Sequence, residues 1–279
     1  MSVTPPGYLT APRPDAGAPW RIAYRLRPAQ GPGRERAGYV WLGGFASNML
    51  GEKASFIDAK AAASQRAMLR FDYSGHGESA FDAEGARFED GAVSDWLEQS
   101  LALFLAKTSG PQILIGSSMG AWIALLLARR LTELGEVCRL HGLLLLAPAV
   151  DFTEELLWKG LPEAARREIL EKGVYMRRSA YGATPITKRL IQDGCKLLLL
   201  EGQVRAYAPT HILQGALDED VPWTHALRLC ERLYADSVTF TLVPGGDHRL
   251  SRPADLELIG ATLDRFDEQS QPILKPNGG

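Results

Sequence analysis

Three cysteines in 279 residues, Cys138, Cys195 and Cys230, are too few and too far apart for a disulfide framework. No C-x-x-C pair is present, so a zinc knuckle is not indicated either. The odd number and wide spacing favour a reducing, cytoplasmic setting, where the thiols read as small buried hydrophobes. An excess of one charge is missing too. With 31 Lys and Arg against 33 Asp and Glu the net charge is −2, which argues against nucleic acid or an anionic membrane surface as a partner. The apolar runs at 121–128 and 143–147 fall far short of the roughly 20 residues needed to span a bilayer. Residues 1–19 are rich in Pro, Gly and Ala and lack an apolar signal core. They are expected to form a flexible arm, and residues 269–279 a disordered tail. No fixed-period repeat is visible.

The chain does contain ample core. Hydrophobic residues make up 46% and charged residues 23%, the balance of an ordinary globular chain of one large α/β domain. Alternation over 21–27 predicts a half-exposed antiparallel edge or hairpin strand. Continuous apolar runs at 39–42 and 113–115 predict buried strands, as do the patterns at 67–72 and 140–147; the strand pattern resumes at 210–215, with a last strand over 237–243. Helical patterns fall between them, near 51–65, 93–107, 121–134, 223–234 and 253–266. The pattern predicts a mostly parallel sheet covered by helices on both faces, built from residues 20–150 and 207–268. Residues 151–206 break the alternation and are expected to form a helical cap inserted over the sheet edge. Asp151 with Glu154 resembles a capping box there, and Pro162 and Gly173 frame a helix.

The run Ile113-Leu114-Ile115 drops into Gly116-Ser117-Ser118-Met119-Gly120 and then into a helical pattern. The spacing G-x-S-x-G between strand and helix is that of a nucleophile elbow, with Ser118 raised above the sheet edge. Serine is a weak nucleophile at neutral pH and needs a base, which in turn needs an anion to hold its tautomer. His248, in the loop after the last strand, is the favoured base. His76 is the runner-up and is better explained as serving its glycine turn. His141, His211 and His225 lie at strand starts or in a first helical turn. Asp218 is the favoured acid, three residues after Gly215. Asp220 is the alternative, more naturally a helix cap; Glu219 points the other way, and Asp247 adjoins His248 too closely in sequence. Backbone N–H groups of Met119 and of Phe45, after Gly43-Gly44, are the candidate oxyanion donors. Trp122, Leu157, Trp158 and Trp223 are candidates for an apolar acyl pocket, although a tryptophan placed like Trp122, one helical turn past Ser118, is more often core than pocket.

These pieces resemble the α/β-hydrolase superfamily from about Arg21 to Phe266. Four segments are similar to the branch that holds a mitochondrial palmitoyl-protein thioesterase: 70–75, 115–120, 220–223 and 247–249. The resemblance implies a nucleophile, acid and base at Ser118, Asp218 and His248 beneath a helical cap. It also implies activity on acyl thioesters or acyl glucuronides, on small molecules or on acylated proteins. Gly44-Phe45 stands where relatives often have Gly-Tyr, and no transit peptide is evident, so a stand-alone esterase in the cytoplasm is expected. No metal or organic cofactor is called for. A C–C bond hydrolase, a perhydrolase or a ligand-binding protein of the same fold are the rival readings.

Overall fold

In a computed structural model, residues 5–14, 17–80, 87–179, 182–235 and 237–269 are described. The chain runs β1 (Gly7–Ala11), β2 (Trp20–Arg27), β3 (Gly38–Leu42), α1 (Glu52–Ala63), β4 (Met68–Phe71), α2 (Val93–Lys107), β5 (Gln112–Ser117), α3 (Met119–Glu133) and β6 (Leu140–Leu146). After an inserted segment come β10 (Thr210–Gly215), α6 (Trp223–Arg232), β11 (Leu233–Tyr234), β12 (Val238–Val243) and α7 (Pro253–Gln269). The insertion carries a π-helical turn (Thr153–Trp158), α4 (Glu163–Lys172), β7 (Val174–Ser179), β8 (Gly182–Thr187), α5 (Lys188–Gly194) and β9 (Val204–Arg205).

Eight strands form one sheet in the order β1-β2-β4-β3-β5-β6-β10-β12. Only the pairs β1–β2 and β2–β4 are antiparallel. All residues of β3, β5 and β10 are buried, which is why β3 and the centre of β5 read as continuous apolar runs instead of alternating ones, while β10 buries Thr210, His211 and Gln214 as well. On one face α1 and α7 close a core of Ile57, Ile113, Leu144, Leu263 and their neighbours. On the other, α2, α3 and α6 bury Trp96, Trp122, Leu126 and Leu229 against Val40, Leu114 and Ile212. Parallel strands bring the ends of β3, β5, β6, β10 and β12 to one rim, where ligands of such sheets sit. Among the described residues no helix is long and apolar enough to cross a membrane.

Several expectations change. Within the expected arm, Gly7–Ala11 is a strand paired with Trp20–Tyr24; its alternating Tyr8-Leu9-Thr10 pattern was masked by flanking prolines. Of the arm, residues 1–4 and 15–16 lie outside the described residues. With β1 added, β2 is no longer an edge. The expected tail from 269 on falls, beyond Gln269, outside the described residues.

The insertion is not purely helical. β7 and β8 pair as an antiparallel hairpin, Val174 opposite Thr187 and Met176 opposite Pro185. Asp151 makes no capping box. Its buried carboxylate accepts from the N–H groups of Leu199 and Leu200 at 2.7–3.0 Å, which fastens the far end of the insertion to its start. Burial pushes the Asp151 carboxyl up to about 6. The helix framed by Pro162 and Gly173 is α4, and Gly173 ends it in the left-handed region at φ 86°. The cysteines are not buried: Cys138 and Cys195 are exposed, Cys230 is half-buried, and none is paired.

Candidate active site

Ser118 sits between the last residue of β5 and the first of α3, at φ 56° and ψ −119°. Side chains other than glycine avoid such positive φ, and the surrounding backbone holds it there. The Ser118 N–H donates to the Leu146 carbonyl at 2.8 Å, and its own carbonyl accepts from Ala121 and Ala149. The flanking glycines allow two close approaches. A Cβ on Gly116 would stand 2.4 Å from the Gly120 carbonyl oxygen, and one on Gly120 would stand 2.0 Å from that of Leu42. Strand β3, strand β5 and helix α3 can therefore converge on one turn.

The loops after β10 and β12 are pressed together. A Cβ on Gly215 would meet the carbonyl oxygens of Gly246 and Asp247 at 2.5–2.6 Å, and Leu217 N–H donates to Gly246 at 2.8 Å. This contact sets His248 between the other two residues. Its Nδ1 lies 2.9 Å from Asp218 Oδ2 and its Nε2 lies 3.1 Å from Ser118 Oγ. Asp218 is 7% exposed and fully engaged. Its Oδ1 accepts from the N–H groups of Asp220 and Val221, and its Oδ2 from Gln214 Nε2 as well as from the ring. Such donors fix the orientation of the carboxylate.

The other candidates separate cleanly. Asp220 is exposed, and its backbone N–H serves Asp218. Asp247 Oδ1 accepts from Arg249 and Leu250 N–H in its own turn. Ligand atoms of Asp218, Asp220 and His248 lie within 4.8 Å of one another, close enough in principle for a metal ion. Both Asp218 oxygens are already occupied by N–H donors, so the donor set suits a hydrogen-bond relay better than a cation. His225 Nε2 donates to Val150 O, and His141 Nε2 to Phe266 O.

His76 belongs to the site's scaffold. The Ala46 N–H donates to its Nε2 at 3.2 Å, so its proton sits on Nδ1, which donates to the Ser74 carbonyl at 3.2 Å. Burial drives its pKa down to about 4 and keeps the ring neutral. Ala46 is itself at φ 55°, so His76 braces the loop carrying Gly44 and Phe45. A Cβ on Gly44 would lie 3.4 Å from Ser118 Cβ and 4.0 Å from its Oγ, which puts this loop directly beside the serine. The Phe45 ring packs against Phe88, Phe152 and Trp96 at centroid distances of 5.0, 5.3 and 6.0 Å.

A cavity of about 490 Å³ opens at Ser118. Leu157 lines it, as expected, together with Phe152, Leu156 and Ile186. Trp122, Trp158 and Trp223 do not line it. Trp122 is sealed in the core, its indole donating to Leu197 O at 3.3 Å. Trp158 packs on the α2–α3 side of the core, and Trp223 starts α6 at 41% exposure. Sequence reading missed Lys53, Arg177 and Arg249 on the cavity wall. Lys53 Nζ donates to the Arg249 carbonyl, next to His248, and burial lowers the ammonium to about 8. Arg177 sits on the unforeseen hairpin; the β-branched and aromatic content of 174–187 was its available signal.

A family model described as "Alpha/beta hydrolase family" matches residues 17–257. The chain is 31% identical over 246 residues to the mitochondrial palmitoyl-protein thioesterase ABHD10 of Rattus norvegicus, covering 87% of this chain and 77% of that one. Among solved structures it is similar to a putative hydrolase from Agrobacterium vitis S4, with 39% identity, TM-score 0.85, and 94% and 98% of the two chains covered. It is also similar to mouse alpha/beta hydrolase domain-containing protein 10, with 28% identity, TM-score 0.79, and 95% and 99% covered.

Proposed function

The chain belongs to the alpha/beta hydrolase family, and from that premise we propose that it hydrolyses carboxylic ester or thioester bonds of acyl substrates through an acyl-enzyme. The observation that carries this reading is the continuous hydrogen-bonded line Ser118 Oγ–His248–Asp218. Ser118 Oγ attacks the acyl carbonyl while His248 Nε2 takes its proton. Asp218 holds the other ring nitrogen and steadies the imidazolium. Negative charge then gathers on the carbonyl oxygen. The Met119 N–H, at the first turn of α3 where no helical partner is in reach, is one donor to it. The Phe45 N–H, in the loop beside Ser118, is the second, each worth about 3–4 kcal/mol of transition-state stabilisation. His248 passes its proton to the departing alcohol or thiol, and water, deprotonated by the same ring, clears the acyl group.

Phe152, Leu156, Leu157 and Ile186 give the cavity an apolar wall suited to an acyl chain. The rat relative's name, a palmitoyl-protein thioesterase, supports including thioesters in this reading. The inserted segment acts as a cap that shapes the acyl site. Mixing enzyme with a p-nitrophenyl ester is expected to give a burst of p-nitrophenol approaching one equivalent, then slower turnover. Ser118→Ala is expected to abolish the burst and reduce kcat by several orders of magnitude with the fold intact by circular dichroism. Near-normal turnover in that variant would refute the assignment.

A further inference from the structure

The same sheet has a second rim. Where β3, β4 and β5 begin, their N-terminal ends and the end of β2 surround a cavity of about 350 Å³. It shares no lining residue with the cavity at Ser118. Five to six residues of strand separate the two, roughly 17–20 Å at about 3.3 Å per residue.

Arg27, Arg34, Arg36 and Lys107 line this hollow, and no Asp or Glu does. In a chain whose charges nearly balance, four cations around one concavity are unusual, and their neutralisation is incomplete. Arg27 is held by both oxygens of Asp58, but that carboxylate also serves Arg70. Among the described residues Arg36 reaches only Asp267, at 3.9 Å, and Asp267 is engaged more closely by Arg66. Lys107 lies 4.8 Å over the Tyr24 ring and, like Arg34, has no carboxylate partner among the described residues. Like charges facing one cleft with low-dielectric walls focus a positive potential into it.

The floor supplies an independent sign. Gln112 is 2% exposed. Its Nε2 donates to the carbonyls of Ser109 and Gly110 at 2.8 and 3.3 Å, which fixes how the amide is turned. Its buried Oε1 has no hydrogen-bond partner. A Cβ on Gly38, which also lines the cavity, would stand 2.4 Å from it. A buried acceptor left unanswered costs about 1–3 kcal/mol; the oxygen has almost no surface open to the cavity, so a ligand hydroxyl offsets that cost by drawing the amide toward it.

We propose that this cavity binds a small, soluble phosphate ester that carries hydroxyl groups. The phosphate is shared by Arg34, Lys107 and Arg36, and a hydroxyl donates to Gln112 Oε1. A phosphoryl group has three terminal oxygens to divide among three cations, where a carboxylate has two. The volume suits a molecule the size of a sugar phosphate.

Isothermal titration calorimetry on the full chain at fixed ionic strength, with glucose 6-phosphate, inorganic phosphate and glucose as probes, tests this. Saturable binding of glucose 6-phosphate, tighter than inorganic phosphate, with no binding of glucose, is the expected result. The Arg34→Gln/Lys107→Gln double variant is expected to weaken binding about tenfold or more while its p-nitrophenyl ester turnover stays at the wild-type rate, showing that it is folded. Gln112→Met is expected to lower glucose 6-phosphate affinity to that of inorganic phosphate. Absence of saturable binding by either phosphate probe, or equal affinity in the double variant, overturns the site. Unchanged glucose 6-phosphate affinity in Gln112→Met overturns the hydroxyl contact.

Discussion

Ser118 is kept in a backbone conformation that costs about 1–3 kcal/mol, and its neighbours are chosen to enforce it. The 2.0 Å gap between the Gly120 Cβ position and Leu42 O leaves no room for a methyl group. Gly120→Ala is expected to destabilise the protein by about 3 kcal/mol, read as a lower midpoint in urea. His76 gives a second test at this scale. Its folded pKa of about 4 lies below the ordinary 6.5, so the unfolded chain takes up a proton first as the medium is acidified. The stability that the neutral ring confers is present above pH 6.5 and is lost as pH falls toward 4, by about 3 kcal/mol. The stability difference between wild type and His76→Gln, from urea titrations at pH 7.5 and 4.5, is expected to shrink in the acid. A pH-independent difference would mean that the ring is not held neutral. Asp151 acts in the opposite sense. With a folded pKa near 6 against 3.8, it adds stability on acidification, so only differences between variants isolate either residue.

Among the elements, helix α2 shows how the insertion is tied to the sheet layer. Its N-cap is Ala92, which has no side chain to satisfy the first N–H groups. Asp193, at the end of α5 and 99 residues away, does so instead, accepting from Ser94 N–H at 2.8 Å and Ser94 Oγ at 2.6 Å. Arg189 on the same helix pairs with Asp95 at 2.7 Å. Asp193→Ala is expected to cost about 1–2 kcal/mol of stability and to raise KM for acyl esters several-fold with little change in kcat, because Leu157 and Ile186 hang from the part that it anchors. A fall in kcat alone would show that the insertion does not shape substrate binding. The core strands and their helices were legible because burial on both faces writes itself as unbroken apolar runs. The elbow was legible because close approach admits only glycine at 116 and 120. The β7–β8 hairpin was not, since burial is confined to Ile186 and Thr187 at one end and enforces no alternation: Met176, Arg177 and Arg178 are all exposed. Trp122, Trp158 and Trp223 misled for a related reason. Trp122 and Trp158 were taken up by the core and Trp223 was left exposed at the start of α6, and the wall was built instead from Phe152, Leu156 and Ile186.

Across the whole molecule, stability is unevenly distributed. Strands β3 and β5 are buried throughout and sandwiched by both apolar layers; the hairpin is largely exposed. Hydrogen–deuterium exchange is expected to be slowest in residues 39–42 and 113–117 and fastest among ordered elements in 174–178; the reverse order would contradict this account of the core. The meeting of the 45, 118, 218 and 248 loops at one rim could be anticipated from strand direction alone. The basic hollow at the other rim could not, because Arg34, Lys107 and Gln112 are far apart in the chain and carry no motif.

The unpaired cysteines have a practical consequence. Cys138 follows α3, just before β6 begins, and Cys195 caps the end of α5 in the insertion; both thiols are open to reagent. With half-buried Cys230 replaced, two maleimide fluorophores would report by energy transfer whether the insertion changes its distance from the sheet during a catalytic cycle. Burial, with Glu154 nearby, raises the Cys195 thiol, so alkaline labelling favours its attachment. The native chain thus already carries the two optical handles for such a measurement.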